Sequence, residues 1–379
     1  MLENRSKAQR ILEAVNKPLK KLSILLRIRK TNERLPKFKK INPALFKPIS
    51  PEAEKKYIEY WSRLYKKVNL SYIRLYKNFS GIEDHRYVPN DIYCAIIDRT
   101  LNHFDYSYFE SNKNYYERFL DKDLFPKTFL RKDLGQYIDR NYGFLSKEEA
   151  DIILKNIGQD FIIKATTGSS AKNGASVKLF KYGEKITLKA LDEIYKDNYI
   201  IQEAVKQHEF FAKMHQDSLN TMRIIAYRSV KDNKINIIKV ALKIGTNHSH
   251  LDNANAGGIF NNISPDGGLS DYSVSMLTEK HYEHPISKIK FKNLVIPHFQ
   301  HILDEIKKTA SKITSQRILG FDVTLNSENE VKIIEINIMG GAAGFWQMQG
   351  GPLLGEFTDE IVEYCIKNMK NNNFQHLRI

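Results

Sequence analysis

The sequence predicts an α+β protein in which a basic, mainly helical N-terminal region precedes strands and helices that alternate. Three observations carry that reading. Apolar residues recur at helical spacing through the first hundred positions, and from about 160 onward short apolar runs of strand length are bounded by Gly, Ser and Asn. Near the C-terminus two such runs, Gly320–Val323 and Ile333–Asn337, flank the polar turn Asn326–Glu330, which reads as a hairpin.

The composition bounds what such a chain can be. At 379 residues and 42% hydrophobic content it can bury a large core divided among two or three lobes. No apolar run approaches the roughly eighteen residues of a membrane span, and the polar start lacks a signal-peptide cleavage pattern. Only Cys94 and Cys365 are present, far apart, which disfavours a disulfide scaffold or zinc site and fits a reducing cytoplasm.

Charge is unevenly spread. Residues 1–50 hold 14 Lys plus Arg against three Glu, so they carry +11 of the net +15. The near-neutral remainder argues against a nucleic-acid partner.

Taken in order, residues 1–52 form a basic arm and linker. Ile11, Val15, Leu19, Leu22 and Leu25 or Leu26 recur at helical spacing among Lys20, Lys21, Arg27, Arg29 and Lys30. This amphipathic stretch is expected either to touch an anionic membrane surface through residues 1–40 or to pack as a solvated helix on the body. Pro36, Pro43, Pro48 and Pro51 punctuate the linker over 35–52. Residues 53–78, with Tyr57, Tyr60, Trp61, Leu64, Tyr65 and Val68, read as helical, and their tyrosines as packing rather than a base-stacking platform. A helix capped near Asn90 follows over 90–103, burying Ile92, Ala95, Ile96 and Leu101, and another is expected over 112–120. Beyond it come a helix over 147–156, a strand ending at Lys164 and a strand over 177–182.

Between those strands lies Ala165–Val177, rich in Gly and Ser. Small residues let backbone N–H groups approach a phosphate, and Lys164 adds a point charge, although an ordinary turn has the same composition. The pattern is neither a P-loop nor a dinucleotide fingerprint. In the C-terminal hairpin, Asp322, Glu335 and Asn337 present hard oxygen donors suited to Mg²⁺ together with phosphate oxygens; a surface hairpin carrying acids by chance is the competing view. His215, His248 and His250 are weak evidence for zinc. No nucleophile elbow or Cys-His setting suggests a covalent enzyme.

The lysine before a glycine-rich loop, followed by Asp322 and then Glu335-x-Asn337, resembles the ATP-grasp superfamily. Ser218–Ile224, Leu251–Ile259 and Gly320–Asp322 look like its sugar-transfer associated branch, over roughly residues 85–365. The resemblance implies two α+β subdomains clasping ATP, here 109–198 and 199–370, after a helical region 53–108 and before a tail, 371–379. It implies ATP with Mg²⁺, for which Mn²⁺ can substitute, held by Asp322, Glu335 and Asn337. Lys113, Lys164 and the lid residues Gly168, Ser169, Ser170, Gly174 and Val177 would meet phosphate. Tyr199–Val205 matches the hinge at which adenine binds, making Gln202, Glu203 and Val205 its candidates, with Gln207, His208 or Glu209 at the ribose. Arg223 and Lys243 would line the phosphate chain, Gly257 and Gly258 would admit substrate backbone-close, Asp252 and Asn253 would orient it, and 339–344 would surround an acyl phosphate. The implied reaction joins a small-molecule carboxylate to an amine, modifying a sugar or surface-polysaccharide precursor in the cytoplasm or at the inner membrane face. A kinase acting on a sugar hydroxyl and a non-catalytic nucleotide-binding scaffold are the alternatives. Oligomeric state is not legible.

Overall fold

The computed structural model describes residues 7–166, 177–246, 257–338, 344 and 346–369, without the side chains of 7–17 and 104. Two antiparallel sheets organise it. The first comprises β1 Thr128–Asp133, β2 Gln136–Ile138, β3 Phe144–Leu145, β4 Phe161–Ala165, β5 Val177–Phe180 and β6 Tyr199–Glu203, in the order β3-β2-β1-β6-β4-β5. The second comprises β7 Thr221–Arg228, β8 Ile235–Ile244, β9 Ile259–Asn262, β10 Ser273–Ser275, β11 Lys280–His281, β12 Ile318–Leu325 and β13 Val331–Asn337, in the order β11-β10-β9-β8-β7-β12-β13.

Strand alternation decides what each sheet buries and what it presents. In the first, Leu130, Phe161, Ile163, Tyr199 and Ile201 pack with Leu154 and Leu191 from the helices Lys147–Lys155 and Leu188–Tyr195. The former helix starts at Ser146, whose hydroxyl accepts from Glu149 N while Glu149 reaches back to the Ser146 backbone, satisfying two orphan donors. The residues between, Lys164 on β4 and Ile200 and Gln202 on β6, fall on the opposite face. In the second sheet Met222, Ile224, Leu319, Phe321 and Val323 pack with the helices Glu209–Met214 and Phe299–Lys312. That leaves Arg223, Gly320, Asp322, Glu335 and Asn337 on its other face.

The N-terminal helices cover part of this second face. Ile225, Tyr227, Val274 and Ile318 share one buried cluster with Trp61, Tyr76 and Ile96 and with Ile361 of the helix Thr358–Met369. Trp61 and Tyr76 are wholly buried, each worth about 1.5–3 kcal/mol of apolar transfer on the scale for large side chains. The N-terminal region is therefore a wall of the sheet that carries the hairpin acids.

Several expectations need correction. The single helix over 53–78 is two, Pro51–Trp61 and Ser71–Ser80; the connection turns at Ser62 and Asn69, whose Oδ1 accepts from Ser71 N at 3.0 Å, and Leu64 is buried without being helical. The helix over 112–120 contracts to Tyr116–Phe119. Asn112 Oδ1 accepts from Asn114 N, and Asn114 donates onward to Lys132 O, so this stretch turns toward β1 instead of winding. Tyr199–Glu203, expected to open the second unit, forms β6, which pairs with both β1 and β4 in the first sheet. The helix from Asn90 does form and runs to Leu101, but Tyr93–Ile97 is a π segment in which Asp98 N bonds Tyr93 O. Its wider turn leaves Tyr93 and Asp98 in the lining of a small cavity with Arg223, Asn337 and Trp346.

Candidate active site

The hairpin is built by its turn. Asn326 Oδ1 accepts from Glu328 N at 3.0 Å and Glu330 N at 2.8 Å, and Asn329 supplies the left-handed residue at φ 65°. In the resulting register Asp322 stands opposite Glu335, and Gly320 opposite Asn337. A Cβ at 320 would meet Arg223 Cδ at 3.4 Å and Asn337 Cβ at 3.5 Å, ordinary van der Waals contact, so both side chains pack closely over this position.

Like charges opposite one another across strands repel. Three cations offset the repulsion here. Arg223 grips Asp322 with both prongs, Nε to Oδ1 at 2.5 Å and Nη2 to Oδ2 at 3.0 Å, and Lys243 Nζ adds a contact at 3.3 Å. Burial pushes the Asp322 carboxyl up, but Arg223 and Lys243 outweigh it and hold it well below the usual carboxylate range. Glu335 accepts from Lys113 Nζ at 2.6 Å; burial, with Asp322, raises its pKa, Lys113 and Arg223 together outweigh them, and the net direction is down.

The first sheet adds a fourth cation. Lys164 Nζ is buried and reaches Ile334 O at 3.4 Å, bridging the two sheets. Desolvation, aided by nearby Lys113, pulls it down to about 7 against the opposing pull of Glu335 and Glu117. Gln202, on the same face, donates to Pro126 O and Thr128 Oγ1 at 3.2 and 3.1 Å, and its buried Oε1 has no partner among the described residues.

Lys113, Lys164, Arg223, Lys243, Asp322, Glu335 and Asn337 thus converge between the sheets, on five strands and the turn before Tyr116. The adenine candidates lie at the end of β6. Glu203 Oε1 already accepts from Lys127 N at 2.9 Å, and Val205 follows in the half-buried loop. His208 caps the Glu209–Met214 helix, its Nδ1 accepting from Phe210 N at 3.0 Å, while its backbone N bonds Leu325 O. Gln207 donates to His215 O and Ser218 O and accepts from Asn220. Val177 begins β5 opposite Lys164. Gly257 has φ 94°, and its carbonyl accepts from Thr246 Oγ1; Gly258 is buried next to β9. Gly168, Ser169, Ser170 and Gly174, the pair Asp252 and Asn253, His248 and His250, and 339–343 lie outside the described residues.

Three features escaped the sequence reading. Arg131, fully buried on β1, faces Glu117 Oε2 at 2.9 Å; the strand reads Thr-Phe-Leu-Arg-Lys-Asp, whose charged half gives no signal that this arginine is buried. Tyr116 presents its hydroxyl to Ile336 N at 3.1 Å, occupying the open edge of β13 as a neighbouring strand would. Asn220, directly before β7, is a wholly buried brace bonded to Phe211 O, His215 O and Gly245 N.

The donors fit Mg²⁺. Two carboxylates and an amide oxygen on adjacent positions suit a hard cation that takes its remaining ligands from phosphates and water. Asn337 Nδ2, buried with no hydrogen-bond partner among the described residues, is a donor open to a ligand oxygen and is not itself a metal ligand. Among the described residues no group of three or more His, Cys, Asp and Glu gathers to make an all-protein site.

No curated protein matches the chain. Solved structures similar to it include an ADP complex of N5-carboxyaminoimidazole ribonucleotide synthetase, at 12% identity and TM-score 0.41 over 67% of this chain and 52% of that one. The ATP-grasp ligase PsnB with precursor peptide PsnA2 and AMPPNP matches at 12% identity and TM-score 0.38, over 68% and 59%. L-amino acid ligase from Bacillus licheniformis matches at 11% and 0.35, over 62% and 44%. The chain thus spans about half the length of these structures. Residues 103–362, well over half of the chain, match the model of one family, and the protein belongs to it: sugar-transfer associated ATP-grasp.

Proposed function

We propose that the protein is an ATP-dependent, ADP-forming carboxylate-amine ligase that attaches an amino acid or related group to a sugar or surface-polysaccharide precursor, working in the cytoplasm or at the inner face of the cytoplasmic membrane. The observation that carries this reading is the meeting of Asp322, Glu335 and Asn337 with Lys113, Lys164, Arg223 and Lys243 on the facing sides of two sheets.

In the first step a substrate carboxylate oxygen attacks the γ-phosphorus of ATP; the new O–P bond forms as the bond to the β-bridging oxygen breaks, and ADP departs. In the second, an amine nitrogen attacks the acyl carbon, the C–O bond to phosphate breaks, phosphate leaves and the nitrogen's surplus proton passes to solvent. Mg²⁺, when bound by Asp322, Glu335 and Asn337, neutralises phosphate charge. The chain's own part is electrostatic. Lys164 and Lys113 approach from the first sheet and its preceding turn, and Arg223 and Lys243 from the second, so charge developing on the transferred group lies among fixed cations. No protein nucleophile is required. The Cys94 and Cys365 thiols are both pushed up to about 12 by burial, far from the thiolate that nucleophilic catalysis needs.

The test is ADP release with candidate acids, with and without amines. Amine-dependent amide formation supports ligation. Phosphorylated hydroxyl product supports the kinase alternative, and nucleotide binding without any turnover supports a scaffold.

A further inference from the structure

The N-terminal helix Lys7–Asn32 is mounted with its leucines outward. The face it turns to the body carries Ser23, Ile24, Arg27, Ile28 and Thr31, with Ser23 and Ile24 buried and Ile28 packed against the core. Leu19, Leu22, Leu25 and Leu26 point the other way, exposed at 44, 50, 51 and 39%. Ordinary amphipathic packing would place that stripe inward. The orientation is fixed at both ends of the described stretch. Lys20 donates to Met369 O, while Asn32 donates to Asp91 at 3.0 Å and accepts from Tyr72 OH at 2.7 Å. The leucines therefore cannot be buried by rolling the helix without breaking these contacts.

The surroundings of the stripe are cationic. Lys21, Arg29 and Lys30 are exposed along the same helix, and Arg34, Lys37, Lys39 and Lys40 are exposed just after it. In the sequence, Ile11 and Val15 continue the leucine spacing toward the N-terminus. Among the described residues no helix is long and apolar enough to cross a membrane. An apolar stripe rimmed by Lys and Arg suits the boundary between headgroups and acyl chains.

The geometry points to this outward face as a docking surface for an anionic lipid bilayer, with Leu19, Leu22, Leu25 and Leu26 entering the interface and Lys21, Arg29 and Lys30 meeting lipid phosphates. The inference deepens the membrane-side placement proposed above and adds an orientation to it. Ile24 belongs to the same buried cluster as Ile225 and Ile318 of the acid-bearing sheet. The candidate active site would thus be held at a set height above the lipid rather than tethered loosely.

The experiment is flotation of the full chain, without nucleotide, on vesicles of phosphatidylglycerol and phosphatidylcholine in equal parts and on pure phosphatidylcholine. Lipid binding is read apart from turnover, so failure of the ligase reading leaves this result intact. The expected result is binding to the anionic vesicles alone. Replacing the leucines together (L19S, L22S, L25S, L26S) is expected to lower partitioning by at least about tenfold, with the circular-dichroism spectrum and thermal midpoint retained because all four side chains are exposed. Raising salt from about 0.05 to about 0.5 M is expected to weaken binding without abolishing it, since screening acts on the cations and not on the leucines. No binding to anionic vesicles overturns the inference. Binding that survives the leucine replacements but fails in K21E/R29E/K30E also overturns it, by making the contact purely electrostatic. So does lipid-independent self-association that the leucine replacements abolish, which would assign the face to a second copy of the chain.

Discussion

Replacing Asp322 by Asn isolates the central ion pair of the hairpin. The exchange keeps volume and one acceptor oxygen but removes the charge that Arg223 grips at 2.5 and 3.0 Å and that Lys243 approaches at 3.3 Å. All three side chains are largely out of water, at 6% exposure for Asp322, 15% for Arg223 and 13% for Lys243. Breaking a buried pair by removing one partner costs about 3–5 kcal/mol because the other charge stays behind. Here the amide still accepts from Arg223 and both cations keep some solvent, so about 2–3 kcal/mol is expected in urea unfolding at pH 7 without nucleotide. The sign with pH follows from linkage. A carboxylate whose folded pKa is depressed contributes stability that is fully present above its unfolded pKa, about 3.9, and is lost as pH falls toward the folded value. The gap between wild type and Asp322→Asn should accordingly be flat above about pH 5 and narrow below about pH 4. An Asn variant as stable as wild type, or a gap that stays constant down to pH 3, would refute the account of Asp322 as a buried, cation-held carboxylate.

Glu335→Ala should abolish turnover and the Mg²⁺-dependent part of any thermal shift with ATP while the apo chain still folds, at reduced stability because Lys113 loses its carboxylate partner; equal activity would sink the metal-site assignment. Wild-type stabilisation by saturating Mg·ATP should reach about 2.7 kcal/mol at a hundredfold excess over Kd. Lys164, drawn down to about 7, makes apo stability rise with pH between about 7 and its unfolded value near 10.4, because the unfolded chain binds the extra proton there. Nucleotide phosphate favours its charged form, so ATP binding near pH 8 should take up a proton, visible by calorimetry in buffers of different ionisation enthalpy and absent in Lys164→Met. Asn220→Ala should cost about 2–4 kcal/mol by urea unfolding, since Gln207 and the Phe211 and His215 carbonyls lose buried partners.

What was legible in the sequence was what short range determines. The hairpin declared itself because Asn326-Ser327-Glu328-Asn329-Glu330 contains its own turn chemistry, and strand alternation put Asp322, Glu335 and Asn337 on one face. Lys164 could be singled out because it ends an apolar strand before a glycine-rich stretch. The same local rules failed where distant groups decide. Helical spacing over 53–78 could not reveal a break that Asn69 and buried Leu64 maintain, nor could it show which face of the N-terminal helix meets the body. Within the Tyr199–Val205 segment that resembles the hinge, nothing local shows that the backbone of Tyr199–Glu203 pairs with β1 on one side and β4 on the other, both far earlier in the chain. Gln207 suited a ribose contact because a polar residue after a strand can serve either role, and Asn220 gave no sign of its part; their hydrogen bonds to each other and to the Phe211 and His215 carbonyls are set by groups brought together only in the fold.

The charges of the site carry a further consequence. Lys113, Lys164, Arg223 and Lys243 supply four positive groups when fully protonated, and Asp322 and Glu335 two negative ones, while Arg131 and Glu117 neutralise each other beneath them. The remaining excess of two positive charges equals the net negative charge of about two on Mg·ATP, so the loaded site would be close to neutral, which a partly dry cleft favours. Without nucleotide the excess is relieved in two ways. Lys164 sits near its titration midpoint at neutral pH, and Lys113, Arg223 and Lys243 lean on the hairpin carboxylates. Binding is then an exchange of partners. Metal must take Asp322 and Glu335 from cations that turn to phosphate, so nucleotide and metal should each bind weakly alone and cooperatively together, by linkage through the same two carboxylates. Titrating ATP at fixed Mg²⁺ levels measures that coupling; affinities independent of each other would mean that the ion pairs of the hairpin persist in the loaded state and that the metal is held elsewhere.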